Sequence, residues 1–553
     1  MLLQNTRAND MVQLCDHCGG GETGNPLVTC TMVGGVPCTA CIESTTIYLQ
    51  IQHLEEYIAK LKAKRRVLAT TMNANHDPFI HKFPPEISSH IFRLCTPSLR
   101  LDFPIRNDPW MPPKIKGWSM PLKLGAVCRK WRQLAWAMPN LWVAPVLKIK
   151  PSTPLSLTKL LPDLLREWLG RSGLLPLTIS FDHAGYSEIL PGTSSNFYLT
   201  RAEEIRVKTL KTATDLVIEV IDLYWGRLEN LHLNLVADVH GRISGSTQPN
   251  KITSLELAIY GDRSPTQKFI TESKPNPKYL SLVNIPPTSI GIGWDNVTHV
   301  ALSELYFKES VEVLQRAPAL EYCQISGIPD RCWDDPTIDL DMVILHPQLR
   351  SLNTNYNTES LFYVINAPSL EEWTHDLSDI QNDCPGLISL LETSNCILKV
   401  LKLEGNLPED LCPLLQATPF LECLYLSSSW PTCAAVLDDM FTRMSRTTLD
   451  SDISSVADAA SGSFLPHLRF LECRANTETI APFNWDLIPH LYRQGHRWSL
   501  TLDSSTHESH ISDETALQLL QLVEEGVDLR ICEVKMRRDL LKKFRKKMRE
   551  ENR

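Results

Sequence analysis

The chain has 553 residues, too many for one hydrophobic core; at roughly 150 residues per domain it holds three or four units. Its composition, 43% apolar and 22% charged, is ordinary for a soluble globular protein. The net charge of −9 is uneven: residues 535–553 carry ten Lys/Arg against three Asp/Glu, which leaves −16 on the rest. A body that acidic excludes general nucleic-acid binding along its surface. The first 14 residues are polar and lack the apolar region of a signal peptide, and no run approaches the ~18 apolar residues of a membrane helix. Most of the 16 cysteines are scattered, as small core residues are in a reducing compartment, so the expected location is cytoplasm, nucleus or both.

The first segment, 10–43, is rich in Cys and Gly. Cys15-x2-Cys18 and Cys38-x2-Cys41 are separated by 19 residues, a spacing that reads as one tetrahedral structural zinc site. Gly19, Gly20 and Gly21 suit the tight turn after the first pair, and His17 and Cys30 are extra donors. Six candidate ligands fall short of the eight a RING needs, and no βαβ pattern points to thioredoxin-like chemistry. Accidental cysteines in a loose N-terminus are the alternative.

Residues 44–75 read as one coiled-coil-like helix. Ile47, Ile51, Leu54, Ile58, Leu61 and Leu68 follow steps of four and three, with Arg65 at one polar seam position. The seam serves either self-association or packing on a neighbour in the same chain.

Residues 78–148 contain two strongly apolar helical stretches, 83–95 and 121–142, around a proline-rich loop, 97–120. Pro84-Pro85-Glu86 suits a first helical turn, where proline costs nothing and a carboxylate meets the positive end of the dipole. Ile87, Ile91, Phe92 and Cys95 then share a face, and Leu122, Leu124, Val127, Cys128, Trp131, Leu134, Trp136, Leu141 and Trp142 crowd apolar bulk into 21 residues. Three short helices leave much of that exposed, which predicts contact with a partner.

Residues 149–214 read as linker and cap. From 215 to 512 the strand-like unit L-x-x-L-x-L recurs, as in Leu228-Leu231-Leu233, Ile252-Leu255-Leu257, Leu320-Cys323-Ile325, Leu398-Leu401-Leu403 and Leu421-Leu424-Leu426. Weaker copies stand at Leu280-Leu282, Val300-Leu302, Leu349-Leu352, Leu370-Trp373, Leu468-Leu471 and Leu500-Leu502. Successive units lie 20–29 residues apart, except for one interval of 47 that contains the low-complexity insert 447–463. Amphipathic pieces such as SVEVLQRAP, LISLLETSN and LCPLLQATP precede the strands. This is the pattern of a leucine-rich repeat solenoid of the α/β class. The rival, a βα barrel, closes with eight units, fewer than the ten or eleven present.

The segments PPEI..HIF..C and LGAVCRKWRQLAWAMPNLW resemble an F-box, in particular the fungal type in which a coiled coil precedes the F-box and repeats follow. The resemblance spans residues 47–142 and, more loosely, the repeats. It implies a substrate receptor that docks on the Skp-type adaptor, and through it on a cullin, of an SCF-type ubiquitin ligase in ubiquitin-dependent protein degradation. Pro84, Pro85, Ile87, Ile91, Phe92, Leu124, Val127, Cys128, Trp131 and Trp142 fall on the family's positions; Phe83 replaces the usual opening leucine, and the loop 97–120 splits the motif. The alternative is a non-ligase scaffold that dimerises through the zinc and coiled-coil segments.

On repeat strands the residues between the leucines are expected to form the binding row: His232, Asn234, Glu256, Ser281, Gln324, Lys402, Glu404, Tyr425, Glu472, Arg474 and Asp503. Lys402, Glu404, Tyr425, Glu472 and Arg474 are the expected substrate site, with Tyr425 as anchor. Mixed charge there points to a protein partner. No P-loop, dinucleotide fingerprint, G-x-S-x-G or H-E-x-x-H is present, so a non-catalytic receptor or adaptor is expected. His507-Glu508-Ser509-His510 spaces its histidines wrongly for a zincin and reads as loop. Residues 513–553 read as a C-terminal helix with a basic tail, which fits a solvated terminal helix first, a nuclear-import signal next, and also an anionic-surface helix.

Overall fold

The computed structural model describes residues 38–76, 83–96, 118–150, 152–183, 201–236, 243, 245, 251–260, 268–270, 274–329, 342–355, 357–377, 384–408, 410–446, 464–475, 483–493, 498–504, 511–533 and 538–551. Cys15, Cys18, the loop 97–117, the insert 447–463 and His507–His510 lie outside them. The chain divides into two compact units: one comprises Met1–Cys95 and Pro121–Ala137, the other Thr96–Met120 and Met138–Arg553.

The first unit contains α1 (Thr39–His76), α2 (Pro85–Cys95), α3 (Met120–Val127) and α4 (Arg129–Trp136). The Ser88 N–H donates to the Pro84 carbonyl at 3.1 Å, so the paired prolines do begin α2. Cys128 caps α4: its Sγ accepts the Trp131 N–H at 3.4 Å, satisfying one orphan donor of the first turn.

The second unit is a mixed α/β body. In chain order it comprises β1 (Val146–Lys148), α5 (Leu155–Arg171), β2 (Leu177–Asp182), α6 (Arg201–Leu223), β3 (Leu228–Val236), β4 (Ser254–Tyr260), β5 (Tyr279–Val283), β6 (His299–Ser303), α7 (Phe307–Arg316), β7 (Tyr322–Ser326), β8 (Ile344–Leu345), β9 (Ser351–Thr354), β10 (Ile365–Asn366) and β11 (Glu372–Asp376). It continues with α8 (Cys384–Ser394), β12 (Val400–Glu404), α9 (Cys412–Gln416), β13 (Cys423–Ser428), α10 (Trp430–Arg446), β14 (Phe470–Ala475), α11 (Leu487–Arg493), β15 (Ser499–Ser504), α12 (Asp513–Glu524), β16 (Leu529–Glu533), β17 (Arg538–Asp539) and α13 (Leu540–Glu551). Apart from β8 and β10, which pair with each other, the strands form one sheet in chain order. Fourteen of them are parallel, and β17 closes the edge antiparallel to β16.

Because side chains alternate along a strand, one sheet face carries an apolar row. Leu231, Leu255, Leu280, Val300, Cys323, Leu352, Trp373, Leu401, Leu424, Leu471 and Leu500 are partners in register from strand to strand. All are buried. A second row two residues on is apolar except at Thr354 and His375. There Thr354 Oγ1 lies 2.8 Å from His375 Nδ1 and accepts from Trp373 Nε1 at 3.1 Å, while the Phe362 ring stands edge-on to both Trp373 and His375. Thr354 is thus paired with both Trp373 and His375, while His375 Nε2 is buried without a hydrogen-bond partner among the described residues.

Two sequence-based boundaries move. The segment 149–214, expected as linker and cap, contributes α5, β2 and α6, and β2 pairs in register with β3. Likewise the sheet runs past 512 to β16 and β17. The basic tail is no free solvated helix: Leu540, Leu541 and Phe544 of α13 are buried, and Lys547 pairs with Asp513 at 3.2 Å. Among the described residues no helix is long and apolar enough to cross a membrane.

Burial pushes His375 down to about 4, whereas in the unfolded chain a histidine titrates near its ordinary 6.5. As pH falls through 6.5 the unfolded chain gains a proton that the folded one refuses, so stability is lost between pH 6.5 and 4. His375→Leu is expected to remove up to about 3 kcal/mol of this acid-dependent loss, measured as the difference in urea-unfolding free energy between pH 7 and pH 4.5.

Candidate functional site

In the first unit a short core separates from an apolar surplus. Phe92 is 1% exposed and stacks obliquely on Trp131, with ring centroids 4.8 Å apart. Leu124 is buried too, and Arg132 Nε donates to the Gly125 carbonyl at 2.8 Å, tying α4 to α3. Ile91 and Cys128 are half-buried. Pro84 and Pro85 are exposed, and so are Ile87 at 46% and Val127 at 51%. Phe83, Leu94, Leu122 and Trp136 join them as exposed large apolar side chains. Nine of the ten expected docking residues therefore share this unit, divided between core and surface. Trp142 does not: it lies in the second unit, fully buried, edge-on to Trp168 at 4.8 Å with the Arg171 guanidinium 4.7 Å above it. Its place in the sequence motif serves the start of the sheet rather than the helical unit.

On the second sheet face, the expected binding row splits in two. His232, Asn234, Glu256 and Gln324 are buried, with His232 Nδ1 against the Glu256 carboxylate, and Ser281 is half-buried, so that half offers little surface to a macromolecule. Toward the C-terminal half, Lys402, Tyr425, Glu472 and Asp503 are half-buried and Glu404 and Arg474 exposed. Lys402 and Tyr425 are register partners, as are Tyr425 and Glu472. Lys402 Nζ donates to Glu372 at 2.5 Å and lies 5.5 Å from the Tyr425 ring, which itself packs on Phe470 at 5.1 Å. Arg474 Nε donates to Glu472 at 2.5 Å, and the surrounding Glu472, Asp503 and Glu404 raise its pKa further. The structure thus brings four of the five expected substrate residues into one patch on adjacent strands, with Glu404 beside them.

Beside this patch opens a polar cleft of about 260 Å³, lined by Tyr322, Gln324, Asn353, Thr374, Asp376 and Glu404 among others. Sequence reading missed Asn353, Glu372, Thr374 and Asp376, because their strands carry the weakest copies of the repeat. The period-two alternation of S-L-N-T and E-W-T-H-D was the available signal.

Of the four expected zinc ligands, Cys38 directly precedes α1 and Cys41 lies in its first turn. The Cys41 and Ile42 N–H groups donate to the Cys38 carbonyl at 3.0 and 3.1 Å, closing a tight C-x-x-C turn. A different group, Asp410, Cys412 and Asp439, places donor atoms within 4.8 Å of one another. There the Cys412 thiol donates to Asp439 at 2.8 Å, burial pushes it up to about 12, and Arg443 binds both Asp439 oxygens at 3.1–3.2 Å. Arg443 supplies positive charge beside the two carboxylates.

A scan against models of known protein families finds no match for the chain, and a search of curated proteins finds none.

Two substitutions separate core from surface in the helical unit. Phe92→Ala is expected to cost about 3–5 kcal/mol, the usual range for a buried aromatic. Ile87→Asp, at an exposed position, is expected to change stability by no more than about 0.5 kcal/mol. Limited proteolysis within residues 83–137, compared with wild type, reads both.

Proposed function

We propose that the chain is the substrate-receptor subunit of an SCF-type cullin–RING ubiquitin ligase. In this reading α2–α4 form an F-box that docks on the Skp-type adaptor. The second unit is a leucine-rich repeat solenoid, and it presents a protein substrate on the sheet face that bears Lys402, Glu404, Tyr425, Glu472 and Arg474. The chain itself performs no chemistry, and ubiquitin transfer belongs to the rest of the complex. The observation that carries the reading is the apolar surplus of the helical unit. Ile87 and Val127 fall on F-box-like positions of the sequence and stand about half exposed, while Phe92, Leu124 and Trp131 of the same motif make the core. Exposed apolar side chains on so small a unit fit a protein contact. The period of the repeats and the strand-by-strand register of the leucines support the solenoid.

The N-terminal cysteines enter the same reading as one structural zinc bound by Cys15, Cys18, Cys38 and Cys41. A closed four-thiolate set leaves no position for catalysis. Its role would be to fix the start of α1. Purified full-length protein is expected to contain one zinc per chain by elemental analysis, and Cys15→Ser with Cys38→Ser none; zinc retained by that variant removes the assignment.

Adaptor docking is tested by co-purification. Ile87→Asp with Val127→Asp is expected to abolish capture of the Skp-type adaptor while the circular dichroism spectrum and thermal midpoint stay at wild-type values, because both side chains are exposed and each charge disrupts only an apolar contact. Undiminished capture by that variant removes the F-box reading. On the sheet face, Lys402→Glu with Arg474→Glu is expected to abolish substrate capture and leave adaptor binding intact. If capture persists in that variant but is lost on substitution of the exposed helix residue Leu517, the substrate surface lies elsewhere.

A further inference from the structure

α1 is a helix of 38 residues that stands largely exposed among the described residues. From Ile51 to Met72 every described side chain is exposed, the apolar ones included. Ile47, Ile51, Leu54, Ile58, Leu61, Leu68 and Met72 share one stripe at alternating steps of four and three, broken only by Arg65. In heptad terms Ile51, Ile58, Arg65 and Met72 occupy position a, and Ile47, Leu54, Leu61 and Leu68 occupy position d. Such a stripe on an isolated helix gains nothing from its apolar residues unless another helix of matching pattern covers it.

The charges along the stripe select the occupant and its direction. Glu55 and Glu56 stand before the midpoint, and Lys60, Lys62, Lys64, Arg65 and Arg66 after it. A second copy laid parallel and in register sets Arg65 against Arg65 and the basic run against itself. Laid antiparallel, the same two helices match a to d in every layer: Ile51 with Leu68, Ile58 with Leu61, Met72 with Ile47, and Arg65 with Leu54. That alignment also brings Glu55 of one copy beside Lys62 of the other, both at position e, and it sets Arg65 next to the carboxylate that follows Leu54. Oppositely charged flanking residues set partner and orientation in coiled coils, and like charges oppose pairing.

We propose that the α1 stripe is a self-association site, in which two copies of this chain pair their α1 helices antiparallel about a two-fold axis between residues 59 and 60. The pairing is isologous, so it closes at a dimer. It does not depend on what the helical unit or the sheet binds.

Full-length protein is used for the test. Sedimentation equilibrium at micromolar concentration is expected to give twice the chain mass, and Leu54→Glu with Leu61→Glu the single mass; a monomeric wild type, or a variant that stays dimeric, overturns the proposal. Orientation is read by p-benzoylphenylalanine placed at Gln50. The antiparallel dimer crosslinks to the partner's peptide around Thr71, whereas crosslinking to the peptide around Gln50 itself means a parallel pair and overturns the proposal. Charge gives a third reading. Glu55→Lys is expected to weaken the dimer about tenfold, since the two-fold axis repeats the contact, and adding Lys62→Glu to restore it. Failure of that rescue, or a Glu55→Lys variant no weaker than wild type, counts against the antiparallel alignment.

Discussion

The second unit depends on one constraint, the register between parallel strands. A strand in the sheet has a period of two, and a slip by one residue would turn its leucines to the opposite face. Each unit has too few apolar residues to bury a face alone, so its leucines are covered only when the neighbouring strand is paired in the matching register. The alternation at β13, where Leu424 and Leu426 are buried while Cys423, Tyr425 and Ser427 are only half-buried, is that constraint at a single strand. Repeated over the sheet, it fixes one face as core and releases the other to carry whatever chemistry the sequence supplies.

Where the inner row departs from leucine, the departure is settled locally. Thr354, Trp373 and His375 replace aliphatic residues on two adjacent strands; the Thr354 hydroxyl meets His375 Nδ1 and Trp373 Nε1, and only His375 Nε2 is left without a hydrogen-bond partner among the polar atoms of these three. A buried hydroxyl and imidazole without partners would cost more than the methyl groups they displace. The changes therefore come as a cluster rather than singly, and the Phe362 ring fills the space beside them. On the outer face the same logic produces a gradient. His232 and Glu256 are buried against each other, while Lys402, Glu472 and Arg474 form ion pairs that stay accessible to solvent. Accessible pairs of this kind add little to stability.

Much of the sheet was legible because leucine spacing states both the strand and its inward face. The strands Leu228–Val236, Val400–Glu404 and Cys423–Ser428 lie on the clearest copies of the unit. β2 was legible too, since Leu174-x-x-Leu177-x-Ile179 fits the unit, whereas β1 has only three residues and no such signature. β16 lacks the first leucine, as Gly526 stands in that place with a positive φ of 91°, so the pattern there begins one step late. The burial of half the expected binding row could not be read from spacing, because period two says which face a residue takes and nothing about what lies over that face. Trp142 was misplaced for a related reason: adjacency to Trp131 in sequence hid the turn at Pro139–Leu141 that carries it into another unit. The exposed set Ile87, Leu122, Val127 and Trp136, the buried Phe92 and the half-buried Trp131 were likewise indistinguishable by residue type alone.

That division within the helical unit has an energetic consequence. Three helices of 11, 8 and 8 residues enclose little volume for their surface, and small units bury too small a fraction of their chain to be strongly stable. Turning Ile87 or Val127 inward would require displacing Phe92 or Trp131, since the core between α2 and α4 already holds that stacked pair. Among the described residues the surplus therefore remains exposed when the unit is folded. A partner that covers it binds the folded form and not the unfolded one, so binding stabilises the unit by mass action in proportion to RT ln(1 + [L]/Kd). Folding of the helical unit and occupancy of its surface are consequently linked, each favouring the other.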